Sequence, residues 1–97
     1  MLRLKITAEV DGVRSNYVMT YGRYGARNAV VGRAAARAED AERFSALVET
    51  LTGKRPWMYW RSDGTIDVVC GRAHLDGFRR YAELADAIEK WLEETGS

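Results

Sequence analysis

Apolar and polar residues alternate along positions 2–21 of the chain. Asp11-Gly12 favours a two-residue hairpin turn, because both central positions of that turn need a positive φ. Folding about this turn gives one face that carries Leu2, Leu4, Ile6, Ala8, Val10, Val13, Ser15, Tyr17, Met19 and Tyr21. The other face carries Arg3, Lys5, Thr7, Glu9, Arg14, Asn16, Val18 and Thr20. The pattern predicts an antiparallel hairpin with one buried and one solvated face.

Residues 29–38 fit two structures. Their alanine content favours a helix from Val30 onward. Small apolar residues also alternate with Arg33 and Arg37, which suits a third strand with a narrow apolar face. We favour the strand, and the helix stays open as the alternative.

Helical spacing begins at Asp40, where Ala41, Phe44, Leu47, Val48 and Leu51 form one apolar stripe. Acidic residues crowd the first turn and Gly53 supplies a stop. A second hairpin is predicted from residues 56–61 and 65–70, followed by a final helix from about Ala73 to Glu94.

Two-residue turn geometry at Asp63-Gly64 would sort the aromatic residues of the second hairpin between two faces. Trp57 would lie opposite Cys70 and Tyr59 opposite Val68, on the core face. Met58 and Trp60 would lie on the solvated face, so Trp60 is the predicted stacking residue. This assignment depends on the two-residue loop and would need revisiting for a loop one residue longer or shorter.

These elements predict an α+β fold for a single domain over residues 1–97, in the order βββαββα. An antiparallel sheet of four or five strands would carry two helices on one face. Each half of the chain has Asp-Gly, then Gly-Arg, then Thr-Gly, which suggests two hairpin-plus-helix units.

Composition and residue patterns indicate the cellular compartment and the type of organism. No apolar run approaches the roughly 18 residues of a membrane helix, and the alternating N-terminus does not resemble a signal peptide. Cys70 is the one cysteine, which fits a reducing cytoplasm. Twelve Arg against three Lys, two Asn and no Gln indicate a thermophile or a GC-rich genome.

Almost the whole chain resembles a family of crenarchaeal paralogous repeat proteins, the Pyrobaculum-type class 2b. The segments that carry this resemblance most clearly are LTGKRPW, SDGTI and GRAHLDGFRRYAELADAIEKWLEE. Members are longer, and this chain is similar to their C-terminal part. The resemblance implies an archaeal, cytoplasmic protein and a turn near AARAED, with strand before it and helix after it. It brings no function and no site residues.

Few residues suggest chemistry. Cys70, His74 and Asp76 are ingredients of an activated nucleophile or a metal site, but a His in the first turn of a helix is usually structural. GRYGAR resembles a phosphate loop without its lysine, and a hairpin connection explains it as well. No carboxylates form an obvious catalytic pair. The sequence therefore indicates no enzyme, cofactor or metal.

Charge is distributed unevenly along the chain. Residues 1–38 carry a net charge of +5 and residues 39–97 a net charge of −4. A basic solvated sheet face is therefore predicted to bind DNA or RNA. The predicted contacts are Arg3, Lys5, Arg14, Arg23, Arg27, Arg33, Arg37 and Trp60.

Two alternatives compete with nucleic-acid binding. A solvated sheet face must carry polar residues in any case, and Arg is the usual polar residue of this chain. Val18, Met58 and Val69 would add apolar area to that face, which favours an oligomerisation or protein-interaction domain, with a homodimer formed by faces or edge strands.

Overall fold

The computed structural model of the chain describes residues 1–10 and 12–95, without the side chains of Ala8 and Val10. The elements follow in the order βββαββαα. The strands are β1 (Leu2–Val10), β2 (Val13–Tyr24), β3 (Ala29–Arg37), β4 (Trp57–Trp60) and β5 (Thr65–Cys70). The helices are α1 (Ala38–Thr52), α2 (Arg72–Phe78) and α3 (Ala82–Glu94). The predicted α+β class is confirmed.

The strands form one antiparallel sheet in the order β1-β2-β3-β5-β4, so β1 and β4 are its edges. The buried apolar side chains of β1, β2 and β5 point to one face, where the helices pack as predicted, although three helices pack there and two were predicted. The largest fully buried side chains of this core are Tyr21, Phe44, Phe78, Leu4, Met19, Ile66, Leu75 and Ile88. No helix of the described residues covers the opposite face of the sheet.

The first hairpin has the predicted register along its whole length, from Val10↔Val13 to Leu2↔Tyr21. Asp11 of the predicted turn lies outside the described residues. Leu2, Leu4, Ile6, Tyr17, Met19 and Tyr21 are buried as predicted, whereas Ser15 is partly buried and Val13, at the hairpin end, is 43% exposed. The side chains of Ala8 and Val10, also predicted in the core, lie outside the described residues.

The third strand is confirmed over residues 29–37, because residues 29–33 pair with β2 and residues 32–37 pair with β5. Its narrow apolar face accommodates Tyr21, which is fully buried beside Gly32. A Cβ atom at position 32 would lie 2.6 Å from two ring carbons of Tyr21. The Tyr21 hydroxyl donates to the Gly71 carbonyl at 3.2 Å, so this ring links β2 to the end of β5.

Helix α1 buries the predicted stripe, including Ala41, Phe44 and Val48. It ends at Gly53, which has φ 76° and donates its N–H to the Glu49 carbonyl at 2.8 Å. This left-handed position favours glycine, since a side chain there is strained. Among the described residues, no helix is long and apolar enough to cross a membrane.

The predicted single helix from Ala73 to Glu94 is instead two helices, α2 and α3. Arg80 Nη2 and the Tyr81 hydroxyl donate to the Leu51 carbonyl at 3.3 and 2.9 Å. Leu51 lies in the last turn of α1, whose carbonyls lack partners within the helix. At these contacts the helical run is interrupted: α2 ends at Phe78, Tyr81 is extended with φ −100° and ψ 123°, and α3 begins at Ala82.

The second hairpin departs from the predicted register by one residue. Arg61 N–H donates to the Thr65 carbonyl at 2.9 Å, so the loop contains three residues, Ser62–Gly64, and not two. Gly64 has φ 86°, which is typical of three-residue loops that end in a left-handed glycine. The observed pairs run from Trp57↔Val69 to Trp60↔Ile66.

This shift exchanges the faces of β4. Tyr59 lies opposite Asp67 and Met58 opposite Val68, so the predicted burial of Trp57 and Tyr59 is wrong. Their side chains are 50% and 58% exposed on the face without helices. Met58 lies on the helix-covered face, which removes it from the predicted apolar surface.

We expect Gly32→Ala to destabilise the protein by about 1–3 kcal/mol, because the added methyl group overlaps the immobile Tyr21 ring. Urea unfolding measures this difference. Gly71→Ala is the matched control, since its Cβ would meet Trp57 at an ordinary 3.6 Å. Equal stability losses in the two variants would contradict the close packing at Gly32.

Candidate nucleic-acid interface

The sheet face opposite the helices is called the open face. It is the face that carries Arg3 and Lys5 of β1. Strand alternation and the register of the sheet place every second side chain of the other four strands on the same face. Its charged, aromatic and larger apolar members are Arg3, Lys5, Glu9, Arg14, Val18, Tyr24, Val31, Arg33, Arg37, Trp57, Tyr59, Asp67 and Val69.

One row of paired residues crosses the open face from edge to edge. It runs from Arg3 through Thr20, Arg33 and Val69 to Trp57. Four inter-strand spacings make this row about 19 Å long. A cation therefore lies at one edge of the row, a second cation near the centre and an aromatic ring at the other edge.

Positive charge predominates on the open face. Arg3, Lys5, Arg33 and Arg37 are exposed and make no ion pair with any residue that the structure describes. Arg14 lies opposite Glu9 in the register of the first hairpin.

Asp67, the second acid of the open face, is neutralised by an ion pair with Arg61. Asp67 is 9% exposed, and Arg61 donates to its Oδ2 from Nε at 2.9 Å and Nη2 at 2.8 Å. The helical layer carries the opposite charge, from Glu39, Asp40, Glu42, Glu49, Glu83, Asp86, Glu89, Glu93 and Glu94. The molecule therefore has a basic sheet face and an acidic helical side.

Three aromatic side chains are exposed on the open face. Tyr59 is 58% exposed beside the Arg61–Asp67 pair. Trp57 is half-exposed, and its ring meets His74 edge-on with a centroid distance of 5.7 Å. Tyr24 is 41% exposed, and the Arg33 guanidinium carbon lies 5.7 Å from its ring centroid.

Five predicted contact residues share the open face: Arg3, Lys5, Arg14, Arg33 and Arg37. Arg27 is exposed in the turn between β2 and β3, at the rim where it was expected.

Arg23 does not reach the rim, so that prediction is wrong. Because β2 continues to Tyr24, alternation directs Arg23 to the helix-covered side. There its guanidinium carbon lies 5.5 Å from the Trp91 ring centroid, and Nη1 donates to the Asn28 carbonyl at 3.2 Å.

Trp60 is also placed wrongly by the sequence. It shares the helix-covered face with Ile66, yet it is 70% exposed because it lies near the end of the edge strand, beyond the helices. The residues missed in its place are Trp57, Tyr59 and Tyr24. The sequence signal that could have found Trp57 and Tyr59 is Asp63-Gly64-Thr65, which favours the three-residue loop. Asp63 Oδ1 accepts from the Thr65 N–H at 3.0 Å and from the Thr65 hydroxyl at 2.7 Å.

Cys70, His74 and Asp76 are each engaged separately. Burial raises the pKa of the Cys70 thiol to about 12, which suppresses the nucleophilic thiolate. His74 Nδ1 accepts from the Gly71 N–H at 3.0 Å, and its Nε2 lies 3.2 Å from the Arg55 carbonyl. These contacts place the proton of the neutral ring on Nε2. The ring thereby links the backbone at Gly71 to the backbone at Arg55.

The remaining candidates have structural explanations. In GRYGAR, Gly22 belongs to β2, and Gly25 to Asn28 form the turn into β3, closed by an Asn28 N–H bond to the Gly25 carbonyl at 3.1 Å. Asp76 pairs with Arg72 at 3.2 Å. Within residues 1–10 and 12–95, no three His, Cys, Asp or Glu side chains are grouped to hold a metal ion.

Comparison of the chain with protein-family models, with curated proteins and with solved structures finds no match. The resemblance to the crenarchaeal repeat family therefore stays a prediction.

His74 gives the fold a pH dependence. Burial lowers its pKa below the ordinary value of 6.5, so the unfolded chain binds a proton that the folded chain excludes. The free energy of unfolding then falls as pH drops below 6.5, and above that value His74 adds no dependence. We expect His74→Asn to lose less stability than the parent protein between neutral and mildly acidic pH, because Asn has no group that titrates there. Urea unfolding at the two pH values measures the free energy of unfolding of each protein. Parallel pH profiles for the two proteins would contradict it.

Proposed function

We propose that the open face binds single-stranded nucleic acid without catalysing a reaction. The observation that carries the proposal is the exposure of Tyr59 and Trp57 on the face that bears Arg3, Lys5 and Arg33. Rings and cations on one surface are what a strand of unpaired nucleotides requires.

Cations supply the part of binding that is independent of sequence. Each arginine or lysine that neutralises a phosphate releases counterions, which makes the affinity depend on salt. Arg3, Lys5, Arg33 and Arg37 are available for this role because no described acid holds them in an ion pair.

Aromatic rings supply the part that favours unpaired bases. Base–aromatic stacking contributes about 1–3 kcal/mol per base and needs a base whose face is free. In a duplex those faces are covered by neighbouring bases, so Tyr59 and Trp57 favour a single strand. Tyr24, already beside Arg33, adds a third ring near the centre of the face.

A solvated face with no ligand is the simplest competing explanation, because polar residues belong on such a face anyway. It accounts for the arginines and lysine. It does not account for two large aromatic side chains at least half-exposed beside them, since exposed aromatic area has no benefit in water.

We expect Tyr59→Ala to weaken binding of a short fluorescein-labelled oligouridylate or oligothymidylate by about 5- to 150-fold, through loss of one stacked base. Fluorescence anisotropy at low salt measures the change. Trp60→Ala is the matched control, since it removes a more exposed ring from the same strand but from the other face. Equal losses in the two variants, or no binding by the parent protein, would refute the proposal.

Removing one phosphate contact should change the salt dependence itself. We expect Arg33→Ala to make the slope of log affinity against log salt shallower by about 0.7, the value for one contact to a single strand. Arg43→Ala, on α1 in an ion pair with Asp40 at 3.6 Å, should leave the slope unchanged. An unaltered slope for Arg33→Ala would show that this side chain does not meet the strand.

A further inference from the structure

β4 is an edge strand of the sheet and pairs with β5 on one side. On its other side it has no partner strand in the described part of the chain. The bond from Arg61 N–H to the Thr65 carbonyl fixes which backbone groups face β5. By alternation, Tyr59 and Trp57 also direct theirs to β5. Met58 and Trp60 therefore direct their N–H and C=O groups outward.

This edge strand is short, at four residues, but it lacks the other features with which proteins usually prevent strand pairing. Such edges carry charged side chains, an internal proline or a bulge. Trp57–Trp60 has none of these, whereas the opposite edge, β1, carries Arg3, Lys5 and Glu9. Leu2, Leu4 and Ile6 of β1 are also buried already by the core.

Both sides of β4 expose aromatic surface. Trp57 and Tyr59 are 50% and 58% exposed on the open face, and Trp60 is 70% exposed on the other. The side chains of an added strand would lie beside these rings on both faces of the sheet and cover part of their apolar area. Pairing at β1 would lack this hydrophobic driving force.

We infer that two copies of this chain pair antiparallel through β4, with Tyr59 on a two-fold axis. Antiparallel partners point to the same side of a sheet, so two-fold pairing must join residues of one face. With Tyr59 on the axis, Met58 of one copy pairs with Trp60 of the other. All outward backbone groups of Met58 and Trp60 are then bonded, and the most exposed tryptophan packs on a methionine.

A second copy suits this edge better than an unrelated strand. The register leaves no outward group of Met58 or Trp60 without a partner, and it places Arg61 of each copy opposite Trp57 of the other, so no like charges face each other. The product is a ten-stranded sheet with both open faces on the same side, which goes beyond the proposed nucleic-acid binding and does not depend on it.

Disulfide trapping tests the register. Tyr59 on the axis would be a pair without direct backbone bonds, with Cα atoms about 4.5 Å apart, within the range of a disulfide. Mild oxidation of Tyr59→Cys should give a covalent dimer on non-reducing gels. Val18→Cys, on the same face of β2 and 39% exposed, should stay monomeric on those gels, as should the parent protein, whose Cys70 is fully buried. Equal trapping of the two variants would overturn the inference.

Sedimentation equilibrium tests the edge without cross-linking. The parent protein should be dimeric at high concentration, and Trp60→Pro, which removes an outward N–H but no buried side chain, should raise the dimer Kd at least about tenfold. Trp60→Ala keeps that N–H and should have a smaller effect. A parent that stays monomeric, or a Trp60→Pro protein that dimerises as well as the parent, would overturn the inference.

Oligonucleotide binding by Trp60→Pro separates this inference from the proposed function. Binding retained by a monomer would leave the open-face proposal standing.

Discussion

The three-residue loop Ser62–Gly64 fixes which side chains of β4 reach the open face. Gly64 takes a left-handed conformation, and Asp63 accepts two hydrogen bonds from Thr65, which together set the pairing of β4 with β5. A loop of two residues would turn every side chain of β4 to the opposite face. Trp57 and Tyr59 would then be buried, and Trp60 would be the one ring of β4 on the open face.

The buried side of the sheet holds the exposed side in place. Tyr21 packs on Gly32 and donates to the Gly71 carbonyl, while His74 accepts from the Gly71 N–H. The Trp57 ring lies edge-on to His74, next to that junction. The first aromatic residue of β4 is therefore positioned by the core, which reduces the conformational freedom lost when a base stacks on it.

The sequence predicts the first hairpin pair by pair because Asp11-Gly12 and a clean alternation agree. The second hairpin contains the same dipeptide, but β4 is Trp-Met-Tyr-Trp, where no polar residue identifies the solvated side. Its register therefore depends on the loop type alone, which a dipeptide does not determine. The break before α3 coincides with a contact to a distant partner, the Leu51 carbonyl, that local periodicity cannot reveal. Arginines in regular alternation were placed correctly, whereas Arg23 lies beyond the predicted end of its strand.

The three tryptophans allow one direct test of the central claim, that the open face and its aromatic residues meet a single strand. Trp57 lies on the open face, Trp60 on the other side of the same strand, and Trp91 is buried beneath Arg23. In a ¹⁵N-edited NMR titration with a short single-stranded oligonucleotide, the indole N–H signal of Trp57 should shift progressively while those of Trp60 and Trp91 stay in place. A shift of the Trp60 signal with Trp57 unmoved would contradict the account.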